Sequence, residues 1–240
     1  MKKRLNIIHE DAAIVVVEKA AGVLTIPDRF KPEVFNLYDH LKKANGDIFT
    51  VHRLDKETSG ILVFAKTKEA HRSLSQQFEE RTVEKIYLVL VEGVLFEKTG
   101  EIDKPIGYHP SKAGQMMVTR KGKPSLTLFR ALEYFKNFTL VEADIKTGRT
   151  HQIRVHFQSV GYPLAIDAMY GGKEGFYLST VKRKYNLGKN AEERPLMSRT
   201  SLHAKKLVLD HPETGERMTF ESELPKDFSA VLKQLRKWGK

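Results

Sequence analysis

Asp55 stands between Arg53 and Lys56 in the run His52-Arg53-Leu54-Asp55-Lys56-Glu57-Thr58-Ser59-Gly60. A carboxylate flanked by cations stays ionised at neutral pH. An ionised carboxylate can attack or stabilise a sugar carbon of oxocarbenium character, or take up a proton. Asp, Thr, Ser and Gly are also ordinary turn residues, so a simple turn and a working carboxylate both remain open on the residues alone. Thr147-Gly148-Arg149-Thr150-His151-Gln152-Ile153-Arg154 is a second concentration of polar chemistry. Arg154 falls in the first turn of an expected helix, where a cation meets the positive end of the helix dipole. A nearby anion would offset that cost, and Asp55 is the candidate; a generic exposed arginine is the plainer reading. Lys85-Ile86-Tyr87 puts an aromatic hydroxyl on an expected strand, where packing alone also explains the ring. The histidines form no metal constellation: His151 and His156 are five apart, wrong for one helical face. No H-E-x-x-H, Walker A or G-x-G-x-x-G run appears.

The elements that must position these residues follow from periodicity. Ile61 to Ala65 are apolar without a break and read as a buried strand, which puts the polar run before them in a loop on a rigid scaffold. Residues 14–18 read as a second buried strand, followed by a tight turn at Ala20-Ala21-Gly22. Residues 35–44 and 68–80 read as amphipathic helices, the second through Ala70, Leu74 and Phe78. Residues 83–93 are too evenly apolar for a half-exposed strand and belong inside a sheet, with Tyr87, Val89 and Val91 on one face. Residues 126–135 and 138–145 read as a hairpin closed at Lys136-Asn137. Thr150 is the expected N-cap of a helix stopped near Gly161, with Ile153, Phe157 and Val160 on one stripe. Residues 201–210 and 217–221 form another hairpin, and a last helix starts at Pro225 with Phe228, Val231, Leu232 and Leu235 on its apolar face.

The chain has 240 residues, enough for one sizeable core or two small ones. Lys+Arg is 41 against Asp+Glu 30, a formal net charge of +11 that favours polyanionic partners. The bias is local: residues 104–132 hold Lys104, Lys112, Arg120, Lys121, Lys123 and Arg130 and no acid. Ser111 to Ser125 within it reads as a polar loop, either merely solvated or facing phosphates with Lys121 and Lys123. Residues 172–199 read as a basic loop insertion, mobile or RNA-contacting. No apolar run approaches the ~20 residues of a membrane span. The acidic residues Glu10 and Asp11 so close to the start do not fit a secretory signal. The absence of cysteine excludes disulfides and thiolate metal sites and fits a cytoplasmic protein.

Several runs carry a family resemblance. His52-Arg53-Leu54-Asp55 with Thr58-Ser59-Gly60, Lys85-Ile86-Tyr87, and Thr147-Gly148-Arg149-Thr150-His151-Gln152-Ile153-Arg154-Val155-His156 occur in the order seen in RluA-type RNA pseudouridine synthases. Lys19-Ala20-Ala21-Gly22, His109-Pro110, Gly122-Lys123-Pro124, Asp167-Ala168-Met169-Tyr170-Gly171 and Leu202-His203-Ala204 are similar to the family's wording too. Ala20 replaces the usual Pro, which predicts a looser turn, and Tyr162 replaces a usual His. The resemblance implies an α+β fold, a largely antiparallel central sheet with flanking helices and loops around a cleft, built as one catalytic domain over residues 1–240. It implies isomerisation of a uridine in ribosomal or transfer RNA, with no cofactor and no metal. By resemblance Asp55 is the catalytic residue, Arg154 its ion-pair partner and Tyr87 the ring against the target base. Arg53, His52, Arg149, Lys121 and Lys123 are the expected RNA contacts. Many relatives carry an S4-type domain ahead of the catalytic one, and the catalytic wording here begins near residue 7, so none is expected. A monomer is expected. A non-catalytic RNA-binding or ribosome-assembly protein is the competing reading; a glycoside hydrolase is weaker, because it needs two working carboxylates.

Overall fold

The structure, a computed structural model, describes residues 5–183, 185, 186 and 192–240. The chain runs β1 (Asn6–Glu10), β2 (Ile14–Lys19), α1 (Leu37–Asn45), β3 (Phe49–Thr50), β4 (Ser59–Ala65), α2 (Lys68–Glu80), β5 (Glu84–Glu92), β6 (Thr99–Asp103), β7 (Ile106–Tyr108), β8 (Met116–Val118), β9 (Leu126–Tyr134), β10 (Phe138–Ile145), α3 (Gln152–Ser159), β11 (Leu202–Asp210), β12 (Arg217–Glu221) and α4 (Lys226–Trp238). The class is α+β with mostly antiparallel strand pairing. Two compact units emerge, one of Met1–Ile86 with His203–Glu223, the other of Tyr87–Leu202 with Leu224–Lys240.

In the first unit the strands order as β1-β2-β4-β11, with β3 on β4 and β12 on β11. β4 lies between β2 and β11 and is buried at every residue, which is why Ile61 to Ala65 alternate with nothing polar. Val63 and Ala65 join Val16, Leu207 and Leu209 in one core with Ala70 and Leu74 of α2. Thr67 caps α2, its side chain accepting the Ala70 N–H at 3.0 Å. β4 and β11 pair in parallel at His203 with Ser59 and Ala204 with Gly60. That register explains Gly60. Its φ is +118°, and a Cβ there would stand 2.1 Å from the Ala204 carbonyl oxygen.

In the second unit the order is β5-β10-β9-β6, and β7 with β8 forms a separate two-stranded ribbon. The β9–β10 hairpin closes as expected, Phe135 N–H donating to the Phe138 carbonyl at 2.9 Å around Lys136-Asn137. Phe228, Val231, Leu232 and Leu235 of α4 pack with Leu90, Phe138 and Phe176. Arg199 pins the start of that helix, with Nε and Nη2 donating to Asp227 at 2.7 and 2.9 Å.

Three expectations change. The N-cap of α3 is His151, not Thr150; it takes a left-handed φ of 56° and makes no side-chain cap bond. Val160 is 36% exposed and leaves the stripe of Ile153 and Phe157. Ser111 to Ser125 is not all loop, because Met116–Val118 is a strand. The segment 172–199 is pinned at its base: Phe176 and Met197 are both buried, and the Phe176 N–H donates to the Met197 carbonyl at 2.8 Å. Its Lys184 and Lys189 lie outside the described residues. β1, β6 and β7 were not foreseen, being short and mostly exposed or half-buried, with little apolar alternation to read.

Gly60→Ala is expected to lower stability by at least about 2 kcal/mol, because it adds a strained φ to a backbone clash. For a chain of this size that is a fall of about 4–8 °C in Tm by calorimetry. A Tm unchanged within about a degree would contradict the close β4–β11 approach.

Candidate functional site

Asp55 heads a turn closed by the Thr58 N–H donating to its carbonyl at 3.1 Å. It is half-buried, with exposed Arg53 and Lys56 nearby in sequence. Two buried residues hold the backbone on either side. Lys19 is fully buried, and its Nζ donates to the carbonyls of Val23 at 2.7 Å, Lys56 at 2.9 Å and Ala20 at 3.2 Å. The Gly22 N–H reaches the same Lys56 carbonyl at 2.8 Å. Thr25 clasps Leu54 both ways: its hydroxyl donates to the Leu54 carbonyl at 3.1 Å and accepts from the Leu54 N–H at 3.3 Å. Neither Lys19 nor Thr25 stands out in the sequence by itself; a lysine ending a buried, largely apolar strand is the available signal.

His52, an expected RNA contact, has partners within the protein. Its Nε2 accepts the Val63 N–H at 3.1 Å and its ring stacks on Phe78 at 4.7 Å. Burial, with the Lys85 charge adding to it, pushes its pKa from 6.5 down to about 3. His52 is therefore a neutral acceptor that steadies β4.

In the second unit Arg154 occupies the first turn of α3 and is 8% exposed. Its Nε and Nη2 donate to Asp167 Oδ2 and Oδ1 at 2.7 and 2.9 Å. The sequence marks Asp167 only through the Asp167-Ala168-Met169-Tyr170-Gly171 resemblance. It supplies an anion that the dipole argument requires, and its Oδ1 also accepts the N–H groups of Met169 and Tyr170, each at 3.0 Å. The guanidinium lies over the Tyr170 ring, 4.8 Å from the centroid. The Tyr170 hydroxyl accepts the Met116 N–H at 2.8 Å and meets His151 Nδ1 at 2.8 Å.

Gln152 sets the loop before the helix. Its Oε1 accepts from Thr147 Oγ1 at 2.7 Å and the Arg149 N–H at 3.1 Å, and its Nε2 donates to Leu126 O and Thr127 Oγ1 at 3.0 Å each. Arg149 Nε donates to the Pro124 carbonyl at 3.3 Å, which ties it to the segment carrying exposed Lys121 and Lys123. Tyr87, on β5, is 8% exposed. No group of acids and histidines fit to hold a metal occurs among the described residues. No helix among them is long and apolar enough to cross a membrane.

A mostly antiparallel α+β chain with these motifs belongs to the RNA pseudouridylate synthase family, whose model matches residues 13–159, and the resemblance to the RluA type holds. The match takes in Asp55, Tyr87 and Arg154 and ends ahead of Asp167. Among curated relatives, "Ribosomal large subunit pseudouridine synthase D" of Pseudomonas aeruginosa is 41% identical over 239 residues, 97% of this chain and 72% of the relative. The protein of that name from Nitrosomonas europaea is 40% identical over 237 residues, 97% of this chain and 65% of the relative. The chain thus spans about two thirds of the length of the latter. Of solved structures, Human RNA Pseudouridylate Synthase Domain Containing 4 shares the fold at TM-score 0.71, with 24% identity over 96% of this chain and 93% of that one. Human RNA Pseudouridylate Synthase Domain Containing 1 gives TM-score 0.68 and 25% identity over 99% and 97%.

Two outcomes follow from the geometry. Asp167→Ala takes two acceptor oxygens from a buried guanidinium and the acceptor of the Met169 and Tyr170 N–H groups, and is expected to cost about 3–5 kcal/mol. Equal Tm values for Asp167→Ala and the parent would contradict the pair. Because the folded pKa of His52 is depressed, its contribution is complete above pH 6.5 and is lost as pH falls toward 3. Urea melts should therefore show the parent losing about 1 kcal/mol more per pH unit than His52→Gln between pH 6 and 4. Parallel curves would refute the neutral acceptor.

Proposed function

We propose that this chain isomerises a uridine of large-subunit ribosomal RNA to pseudouridine, with Asp55 carrying the chemistry. The family match across the Asp55 turn carries the reading, and the ribosomal target rests on the names of the relatives. The N1–C1′ bond breaks, the uracil turns, C5 bonds to C1′, the C5 proton leaves and N1 gains one. Atoms and electrons balance with no redox step, so the reaction asks for no cofactor. A carboxylate suits it, either at C1′ or at the departing proton. The turn held by Lys19 and Thr25 supports the assignment, since a reacting group gains from backbone fixed before substrate arrives.

A stacked base is out of reach, so the uridine must leave the helix at a cost of a few kcal/mol. Arg53 helps hold the opened strand, and Tyr87 meets the uracil. Arg154, anchored by Asp167, acts on the same step as Asp55. Arg149, Lys121 and Lys123 contact phosphates, and His52 contributes from beneath as a neutral ring. The protein works as a cytoplasmic monomer.

Asp55→Asn is expected to abolish pseudouridine formation in an unmodified 23S rRNA transcript, read by nucleoside mass spectrometry, with the RNA Kd within about threefold of the parent. Arg154→Ala should lower the single-turnover rate at saturating RNA. Full activity in Asp55→Asn would sink the proposal and favour a non-catalytic RNA-binding protein.

A further inference from the structure

We propose that Tyr108 is a stacking platform for an unpaired RNA base, presented by the β7–β8 ribbon as a nucleic-acid interface; this rests on the RNA reading above. Tyr108 ends β7 and is 82% exposed. One exposed aromatic means little. Phe30 at 85% and Phe96 at 90% are more exposed, yet Phe30 has acids at Asp28 and Glu33 and its ring already faces the Arg29 guanidinium, 5.9 Å from the centroid, and Phe96 is followed by Glu97. Tyr108 differs in its setting. The stretch 104–132 contains no acid, and Lys112, Arg120, Lys121 and Lys123 within it are exposed. Arg130 is paired with Glu142, and Lys104 donates to the Ser159 carbonyl, so these two are held by the protein itself.

The support beneath the ring is stiff. Tyr108 pairs with Met116, whose N–H donates to the Tyr170 hydroxyl. Ile106 and Met116 bury their side chains with Val155 and Tyr170. Ile106 also exchanges two backbone bonds with Lys123, at 3.0 and 2.8 Å. Gly122 permits that approach, since a Cβ there would lie 2.5 Å from the Ile106 carbonyl carbon. A tyrosine has few torsions to freeze. On a backbone fixed by these bonds, with cations alongside for phosphate, the ring meets the requirements of sequence-tolerant base stacking.

The test uses Tyr108→Ala, Tyr108→Phe and Tyr108→Trp in the full chain. Binding is read by anisotropy of a fluorescein-labelled, 15-nucleotide single-stranded RNA, and kinetics on an unmodified 23S rRNA transcript. Tyr108→Ala should weaken Kd and raise KM about tenfold, with kcat changed far less. Its slope of log Kd against log salt should match the parent, whereas Lys121→Ala with Lys123→Ala should flatten that slope. Tyr108→Phe and Tyr108→Trp should restore binding. An unchanged Kd in Tyr108→Ala, or Tyr108→Phe as weak as Tyr108→Ala, would overturn the proposal. If the parent bound RNA but formed no pseudouridine, the proposed activity would fall, while the binding series would still decide the role of Tyr108.

Discussion

A guanidinium buried at the start of a helix is unstable unless an anion meets it, and the second unit is arranged around that requirement. Arg154 faces the dipole of α3 from its first turn, and Asp167 answers with both carboxylate oxygens. The same carboxylate gathers the backbone at Met169 and Tyr170, and so places the Tyr170 ring under the cation. The Tyr170 hydroxyl then reaches Met116 and His151, which couples the ribbon to the turn entering α3. Each contact fixes the next, so an arginine with many rotamers keeps one.

The first unit solves a matching problem for a carboxylate. Asp55 belongs to a short turn, and turns are poor places to hold an atom still. The remedy is a buried ammonium. Lys19 spends its donors on backbone carbonyls of its own loop and of Lys56, and Thr25 fastens Leu54. Below them β4 is clasped by β2 and β11, closely enough at Ala204 that only glycine fits at position 60. His52 adds a neutral hydrogen bond to the same strand.

Much of this was legible in the sequence. Unbroken apolar runs announced β2, β4 and β5, and helical spacing announced α2 and α4 with their buried faces. Motif order named Asp55, Tyr87 and Arg154 as candidates. What stayed hidden shares a cause: it depends on partners distant in the chain. Nothing near Arg154 names Asp167, thirteen residues on, as its counter-ion. Nothing about a lysine in an apolar strand says that its charge turns inward to carbonyls. His151 misled because a left-handed residue displaced the polar cap that the local sequence offered at Thr150. The β7–β8 ribbon escaped because its strands are too short for alternation to show.

The central claim is that one carboxylate drives the exchange of a C–N bond for a C–C bond at a single nucleotide. That exchange must expel the hydrogen on C5 of the uracil. The most direct measurement is single-turnover release of tritium from 23S rRNA transcript labelled at uracil C5. One tritium per chain at saturation, and none when residue 55 is asparagine despite bound RNA, is the predicted result. Release at the parent rate without the carboxylate, or no release from the parent at all, would contradict the account.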